Sequence, residues 1–203
     1  MAMIRMATER DAGAMLDIYA PIVQQTAISF ELSPPSLPDF KNRIRSSIQD
    51  RPWLVCEAAG QILGYACATA YRSRGAYAWS VETSAYINAQ FHRQGIARSL
   101  YHSLLKMLAL QGYYMAFAGI ALPNDASIAF HEAMGYKAIG VFQQAGYKLG
   151  RWYSVGWWQL PITTPFTEPK APPKQPNDCA DDPQWEQAIH TGMELLKIRT
   201  DLR

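Results

Sequence analysis

The apolar positions change period several times along the chain, and each change marks an element. Ile4 and Met6 alternate with Met3 and Arg5, the period of a short strand. Thr8, answered by Asp11, signals a helix start. Met15, Ile18, Tyr19, Ile22 and Val23 then keep helical spacing, and Pro21 is expected to kink or end that helix. Ser36 and Asp39, with Pro38 in the first turn, open a second helix carrying Phe40, Ile44 and Ile48. Three strands follow: Trp53–Ala58, Ile62–Tyr71, and Ala78–Ile87 after the polar connection Arg72-Ser73-Arg74-Gly75. A helix over Gly95–Gln111 places Ile96, Leu100, Leu104, Leu105 and Leu108 on one stripe, with Gly112 as its C-cap. Tyr113–Ala121 is a strand. Asn124 or Asp125 caps a short helix with Ile128, Phe130, His131 and Met134, ended by Gly135. Tyr136–Phe142 and Tyr153–Leu160 are late strands around a loop Gly146–Arg151. The order β-α-α-β-β-β-α-β-α-β-β predicts an α/β (α+β) fold, a mixed, mostly antiparallel sheet flanked by helices.

Past this point the pattern changes. Seven of the 13 prolines fall at 161, 165, 169, 172, 173, 176 and 183. They predict one domain over 1–162 and a proline-rich linker over 163–183. Residues 184–203 form an amphipathic helix, with a stripe of Trp185, Ile189, Met193, Leu196 and Leu202. If ordered, that stripe is expected to pack on its own domain or on a partner subunit. Deletion of 165–203 is expected to leave the chemistry largely intact.

Composition excludes the extremes. With 203 residues, 49% of them hydrophobic and 18% charged, the chain builds a sizeable core. Disordered, collagen-like and disulfide-scaffold classes are excluded. A net charge of +2 does not point to nucleic acid. Residues 1–163 carry 14 basic and 10 acidic side chains, residues 164–203 carry 5 and 7, so the domain is mildly basic and the tail mildly acidic. Cys56, Cys67 and Cys179 lack metal-ligand spacing and predict reduced thiols in a cytoplasmic protein without a metal. No signal-peptide stretch and no apolar run of membrane-spanning length stands out.

The sharpest local signal is a strand, a turn and a helix: Tyr86-Ile87, then Phe91-His92-Arg93-Gln94-Gly95-Ile96-Ala97. Small residues at 95 and 97 let backbone amides approach a ligand. The helix dipole then favours an anion, ideally a pyrophosphate. The Walker and dinucleotide-fold spacings are both absent. Just upstream, Glu82 is the lone acidic residue between Glu57 and Asp125, in an otherwise apolar and hydroxyl-rich strand. Burial there would raise its pKa toward the range of a general base.

With the element order, this segment resembles the acetyl-CoA motif of the GNAT N-acetyltransferase superfamily, Gln/Arg-x-x-Gly-x-Gly/Ala. His92 stands at the first position, where the pattern has Gln or Arg. Further stretches are similar to the phosphinothricin N-acetyltransferase family: Ser29-Phe30-Glu31, Arg51-Pro52-Trp53-Leu54-Val55, Gly75 to Ser84, Leu122 to Ser127, and Ala145 to Trp152. The resemblance runs from about Met3 to Ile162 and implies the acetyl-CoA acyltransferase (GNAT) fold.

It also implies roles. Glu82 acts as base, His131 has a supporting base or orienting role, and Tyr136 lies near the thiol. Ser84, Ala85 and Tyr86 pair with the pantetheine arm as an added strand would, and one of their amides polarises the thioester carbonyl. Residues His92, Arg93, Gln94, Gly95, Ile96 and Ala97 cradle the pyrophosphate of the co-substrate acetyl-CoA. Asn124 and Ser127 bond to pantetheine or phosphate, or cap a helix. Arg72 and Arg74, just before Tyr77, clamp substrate oxygens, with Phe30 and Tyr86 as pocket walls. Lys148 and Arg151 belong to a loop that reaches a partner subunit in a homodimer.

The implied activity is acetyl transfer from acetyl-CoA to the α-amino group of a small amino acid analogue of the phosphinothricin, methionine sulfoximine or methionine sulfone type. No nucleic-acid or membrane partner is expected. The alternatives are acetylation of a protein N-terminus or other amine, and a non-enzymatic acyl-CoA-binding module.

Overall fold

A computed structural model describes residues 2–196. Seven strands form one sheet in the order β1-β2-β3-β4-β5-β7-β6: β1 (Ala2–Met6), β2 (Trp53–Ala58), β3 (Gln61–Ala70), β4 (Ser80–Ile87), β5 (Met115–Ala121), β6 (Lys137–Lys148) and β7 (Arg151–Pro161). Every neighbouring pair is antiparallel except β4 and β5. The sheet is therefore mixed and mostly antiparallel, with helices on both faces.

Alternation along the strands sorts two cores. On one face, α1 (Ala12–Gln25) and α2 (Leu37–Ser47) cover Trp53, Val55, Tyr65 and Cys67. On the other, α3 (Ile96–Gln111) and α4 (Asp125–Ala133) cover Leu54, Cys56, Ala66, Ala68 and Val81. Along β4 the even residues Glu82, Ser84 and Tyr86 face the α1/α2 side, and Val81, Thr83 and Ala85 face α3.

Several expectations from the sequence are corrected. The Thr8–Asp11 signal starts a short 3-10 turn, Glu9–Asp11, before α1 begins. Pro21 does not end α1, which runs on to Gln25. Asp17 and Pro21 are both exposed, so the carbonyl that loses its partner lies on the wet face. β4 starts at Ser80, two residues later than expected, after a 3-10 turn at Gly75–Tyr77. The expected loop 146–151 is mostly strand: β6 and β7 meet at a two-residue turn, Leu149-Gly150, with φ of 50° and 79°. Two positive φ values match the twist of a tight hairpin, and leucine does not advertise that conformation.

The tail docks on the same molecule. Between Pro161 and the last helix lies α5 (Pro176–Cys179), and α6 spans Pro183–Thr191, shorter than the expected helix. A 3-10 turn, Met193–Leu195, follows Gly192. Trp185 and Ala188 are buried in the α3-side core, with Ile189, Met193 and Leu196 packed at its margin. Leu202, expected on the same stripe, lies outside the described residues.

Candidate active site

The site begins where the sheet splits. β4 and β5 pair only at Ser80–Met115, Val81–Ala116 and Glu82–Phe117, although both strands continue. Beyond that point the Thr83 hydroxyl donates to the Phe117 carbonyl (3.3 Å), taking an oxygen that a ladder amide would otherwise take. Ser84, Ala85 and Tyr86 therefore run along a strand edge with no partner on the β5 side. Such an edge accepts an extended amide chain as an added strand.

Glu82 sits at the fork on the α1/α2 side, level with Thr69 and Phe117. Among the described residues no hydrogen bond or ion pair engages its carboxyl group. Burial without a counter-charge pushes its pKa above the ordinary glutamate value. A chain of aromatic contacts links this point to a cationic edge. Tyr71 stacks on Phe117 (4.0 Å between centroids) and meets Tyr77 edge-on (5.6 Å). The Arg72 guanidinium lies 5.1 Å over Tyr71 and 5.8 Å from the Tyr77 centroid. Arg72, Ser73, Arg74 and Tyr77 line an open cavity of about 380 Å³. The exposed arginines give that cavity a local positive charge.

The loop between α1 and α2 lies beside Tyr86, and neither Phe30 nor Tyr86 lines that cavity. Tyr86 packs edge-on against Tyr19 (4.9 Å), whose hydroxyl meets the Ser29 hydroxyl (2.7 Å). Phe30 tilts against Tyr153 and lies where a side chain on Gly146 would stand. Lys148 reaches across from β6 and donates to the Ser29 carbonyl at 2.6 Å. Desolvation lowers the lysine pKa, partly offset by the nearby Glu31 carboxylate. Arg43 fastens the end of the loop through Glu31 at 2.7 Å.

His131 and Tyr136 lie on the other face, apart from Glu82. The Tyr136 hydroxyl meets the Thr83 hydroxyl at 2.8 Å, at the fork itself. His131 is buried, with Nδ1 2.8 Å from the Ser127 carbonyl and Nε2 3.1 Å from the Tyr101 hydroxyl. The carbonyl can only accept, so Nδ1 carries the proton and Nε2 accepts from Tyr101. Burial lowers the imidazole pKa, which keeps the ring neutral. Both ring nitrogens of His131 are therefore engaged within the chain.

The turn after β4 has the geometry of an anion cradle. Arg93 and Gly95 have φ of 63° and 80°. Gly95 is the N-cap of α3 and provides no side-chain cap, which leaves the first-turn amides free. His92, Arg93 and Arg98 are exposed around this turn, and the His92 ring bonds the Ile87 carbonyl (3.1 Å). The residue that departs from the family pattern thus ties the turn to the end of β4. Asn124 caps α4 by accepting from the Ser127 amide (3.1 Å). The free amides and the open strand edge fit a pyrophosphate joined to an amide-bearing arm.

Comparison with known proteins settles the family. The Acetyltransferase (GNAT) domain family matches residues 4–157. The chain is 38% identical to the phosphinothricin N-acetyltransferase of Streptomyces viridochromogenes, over 84% of this chain and 91% of that one. This chain belongs to the GNAT acetyltransferases, within the phosphinothricin N-acetyltransferase family. It is 30% identical to the L-methionine sulfoximine/L-methionine sulfone acetyltransferase of Salmonella typhimurium, over 78% of this chain and 94% of that one. The structure of a phosphinothricin acetyltransferase from Sinorhizobium meliloti in complex with AcCoA superposes with a TM-score of 0.77. Its identity is 29%, covering 83% of this chain and 95% of that one. The chain is an acetyl-CoA-dependent N-acetyltransferase.

Sequence reasoning missed the supports of the GNAT site. Thr83, Tyr101, Tyr19 and Ser29 contact other candidate residues; Thr83 and Ser29 fall in stretches that resemble the family, while Tyr101 and Tyr19 carry no such signal. Lys148 carried a signal, because the stretch Ala145–Trp152 resembled the family, but its reach back to Ser29 within one chain needed the fold.

Proposed function

We propose that this chain acetylates the α-amino group of a small amino acid analogue of the phosphinothricin, methionine sulfoximine or methionine sulfone type by direct transfer. The observation that carries the reading is Glu82, a half-buried carboxyl group without a counter-charge among the described residues, at the fork where β4 and β5 part. Acetyl-CoA supplies an activated thioester. Glu82 takes the proton from the substrate ammonium and frees its lone pair. Arg72 and Arg74 hold the substrate's anionic oxygens, Tyr77, Phe30 and Tyr86 wall the pocket, and one amide along Ser84–Tyr86 steadies the developing oxyanion. The amides of residues 92–97 hold the pyrophosphate, and Asn124 and Ser127 border the arm. Tyr136 stands at the fork near the departing sulfur, and His131 orients that wall.

The proposal extends to a homodimer. Ile139, Val141, Phe142, Tyr147, Leu149 and Trp152 are large apolar groups exposed on the outer hairpin, a face suited to a second copy. It also places the protein in the cytoplasm, which the three free, buried thiols suit. Among the described residues no helix is long and apolar enough to cross a membrane.

A screen of amino acid analogues and peptides, followed by thiol release from acetyl-CoA, tests the substrate class. Turnover is expected with phosphinothricin or the methionine derivatives. Turnover with peptides alone would overturn the reading.

A further inference from the structure

The tail lies beyond residues 4–157 that the family matches, yet it follows α3 along its whole length. At the C-terminal end, Lys174 N donates to the Gln111 carbonyl (2.8 Å), and Gln111 Nε2 donates to the Lys174 carbonyl (2.6 Å). Cys179 and Trp185 enter the core, and α6 returns toward the N-terminal end of α3. There the contact becomes very close. Gly192 has φ of −75°, which any residue adopts, so its backbone conformation does not require glycine. Space does. A Cβ at 192 would overlap the Ser99 carbonyl oxygen and stand 2.7 Å from Ser103 Oγ. Ser103 Oγ donates to the Ile189 carbonyl (2.6 Å) and accepts from the Gly192 amide (3.1 Å), so one buried hydroxyl serves both groups at the end of α6.

Ser99 is also the residue whose amide bonds the Gly95 carbonyl (2.9 Å) and closes the first turn of α3. The amides that precede Ser99 in that turn are the ones left free at the cradle. We infer that the tail is a brace on the phosphate cradle, with Gly192 and Ser103 as positioning residues that set the affinity for acetyl-CoA. The inference rests on the reading of residues 92–97 as the pyrophosphate site. The physical reason is preorganisation: a first turn already held in place loses less conformational freedom when the anion binds.

The test uses the full chain, with acetyl-CoA titrated calorimetrically and steady-state constants measured for both substrates. Ser103→Ala removes both bonds with little change of shape, and Gly192→Ala forces α6 away from Ser99. Each is expected to raise the Kd and KM for acetyl-CoA roughly fivefold, the size of a lost hydrogen bond, with kcat and the amine KM unchanged. Ile44→Val, in the α1/α2 core away from the tail, is the stability comparator. It is expected to lower the melting temperature and leave acetyl-CoA affinity alone. Folded tail variants with unchanged acetyl-CoA affinity would overturn the inference, as would an equal loss in the comparator. If Gly192→Ala fails to fold, Ser103→Ala decides. A wild-type chain that binds no acetyl-CoA would overturn the cradle reading, and the brace with it.

Discussion

At the scale of single residues, half-buried Glu82 and buried His131 are pushed in opposite senses. Glu82 is raised, so the folded state keeps its proton where the unfolded state has lost it. Stability from this group is present at pH values below the ordinary glutamate range and is lost as pH rises through the raised value. His131 is lowered, so its contribution is present above the ordinary histidine value and is lost as pH falls through the lowered one. Glu82→Gln removes the first effect. Chemical denaturation should show the Gln variant gaining on the wild type as pH rises from the ordinary glutamate range through the raised value. A gap that does not grow with pH would contradict the burial of a charged Glu82. The same substitution is expected to reduce turnover, a trade of activity for stability common at catalytic carboxylates.

At the scale of elements, the α1–α2 loop and the β6–β7 hairpin depend on each other. Lys148 is tied to the Ser29 carbonyl, and Gly146 leaves room for the Phe30 ring. Lys148→Met keeps the apolar stem and removes the tie. Steady-state kinetics are expected to show a rise in the amine KM of roughly tenfold, the size of a charged hydrogen bond, with the acetyl-CoA KM unchanged. Much at this scale was legible in the sequence. The stripes of α2 and α3 and the Gly112 cap gave those helices to within a residue or so, because period and cap chemistry are local. The full length of the hairpin was not legible, because Gly146 looks like a loop residue and Leu149 gives no sign of its positive φ. The site divided in the same way. Glu82 and Gly95 stood out by composition and spacing, while the separation of His131 from Glu82 by the sheet depends on strand alternation and pairing.

At the scale of the whole molecule, the chain is an acetyltransferase fold whose tail has become part of the core. Trp185 joins the cluster built on α3, so removing residues 165–203 strips a wall from that cluster. The sequence predicts that this deletion leaves acetyl transfer largely intact in a soluble truncated protein, and the stripe docks on its own domain, one of the two places expected. Trp185→Ala is expected to cost about 3–5 kcal/mol. For a chain of this size that lowers the melting temperature by about 2–4 °C per kcal/mol in a thermal melt. A change within error would contradict the docking of α6.

The account turns on one carboxyl group at the place where β4 and β5 part. The most direct test compares wild-type and Glu82→Gln proteins for acetyl-CoA binding by calorimetry and for acetylation of phosphinothricin or methionine sulfone by mass spectrometry. The prediction is unchanged binding with a loss of roughly 10²–10⁴-fold in the rate of acetylated product. A Gln variant that acetylates at the wild-type rate would contradict it.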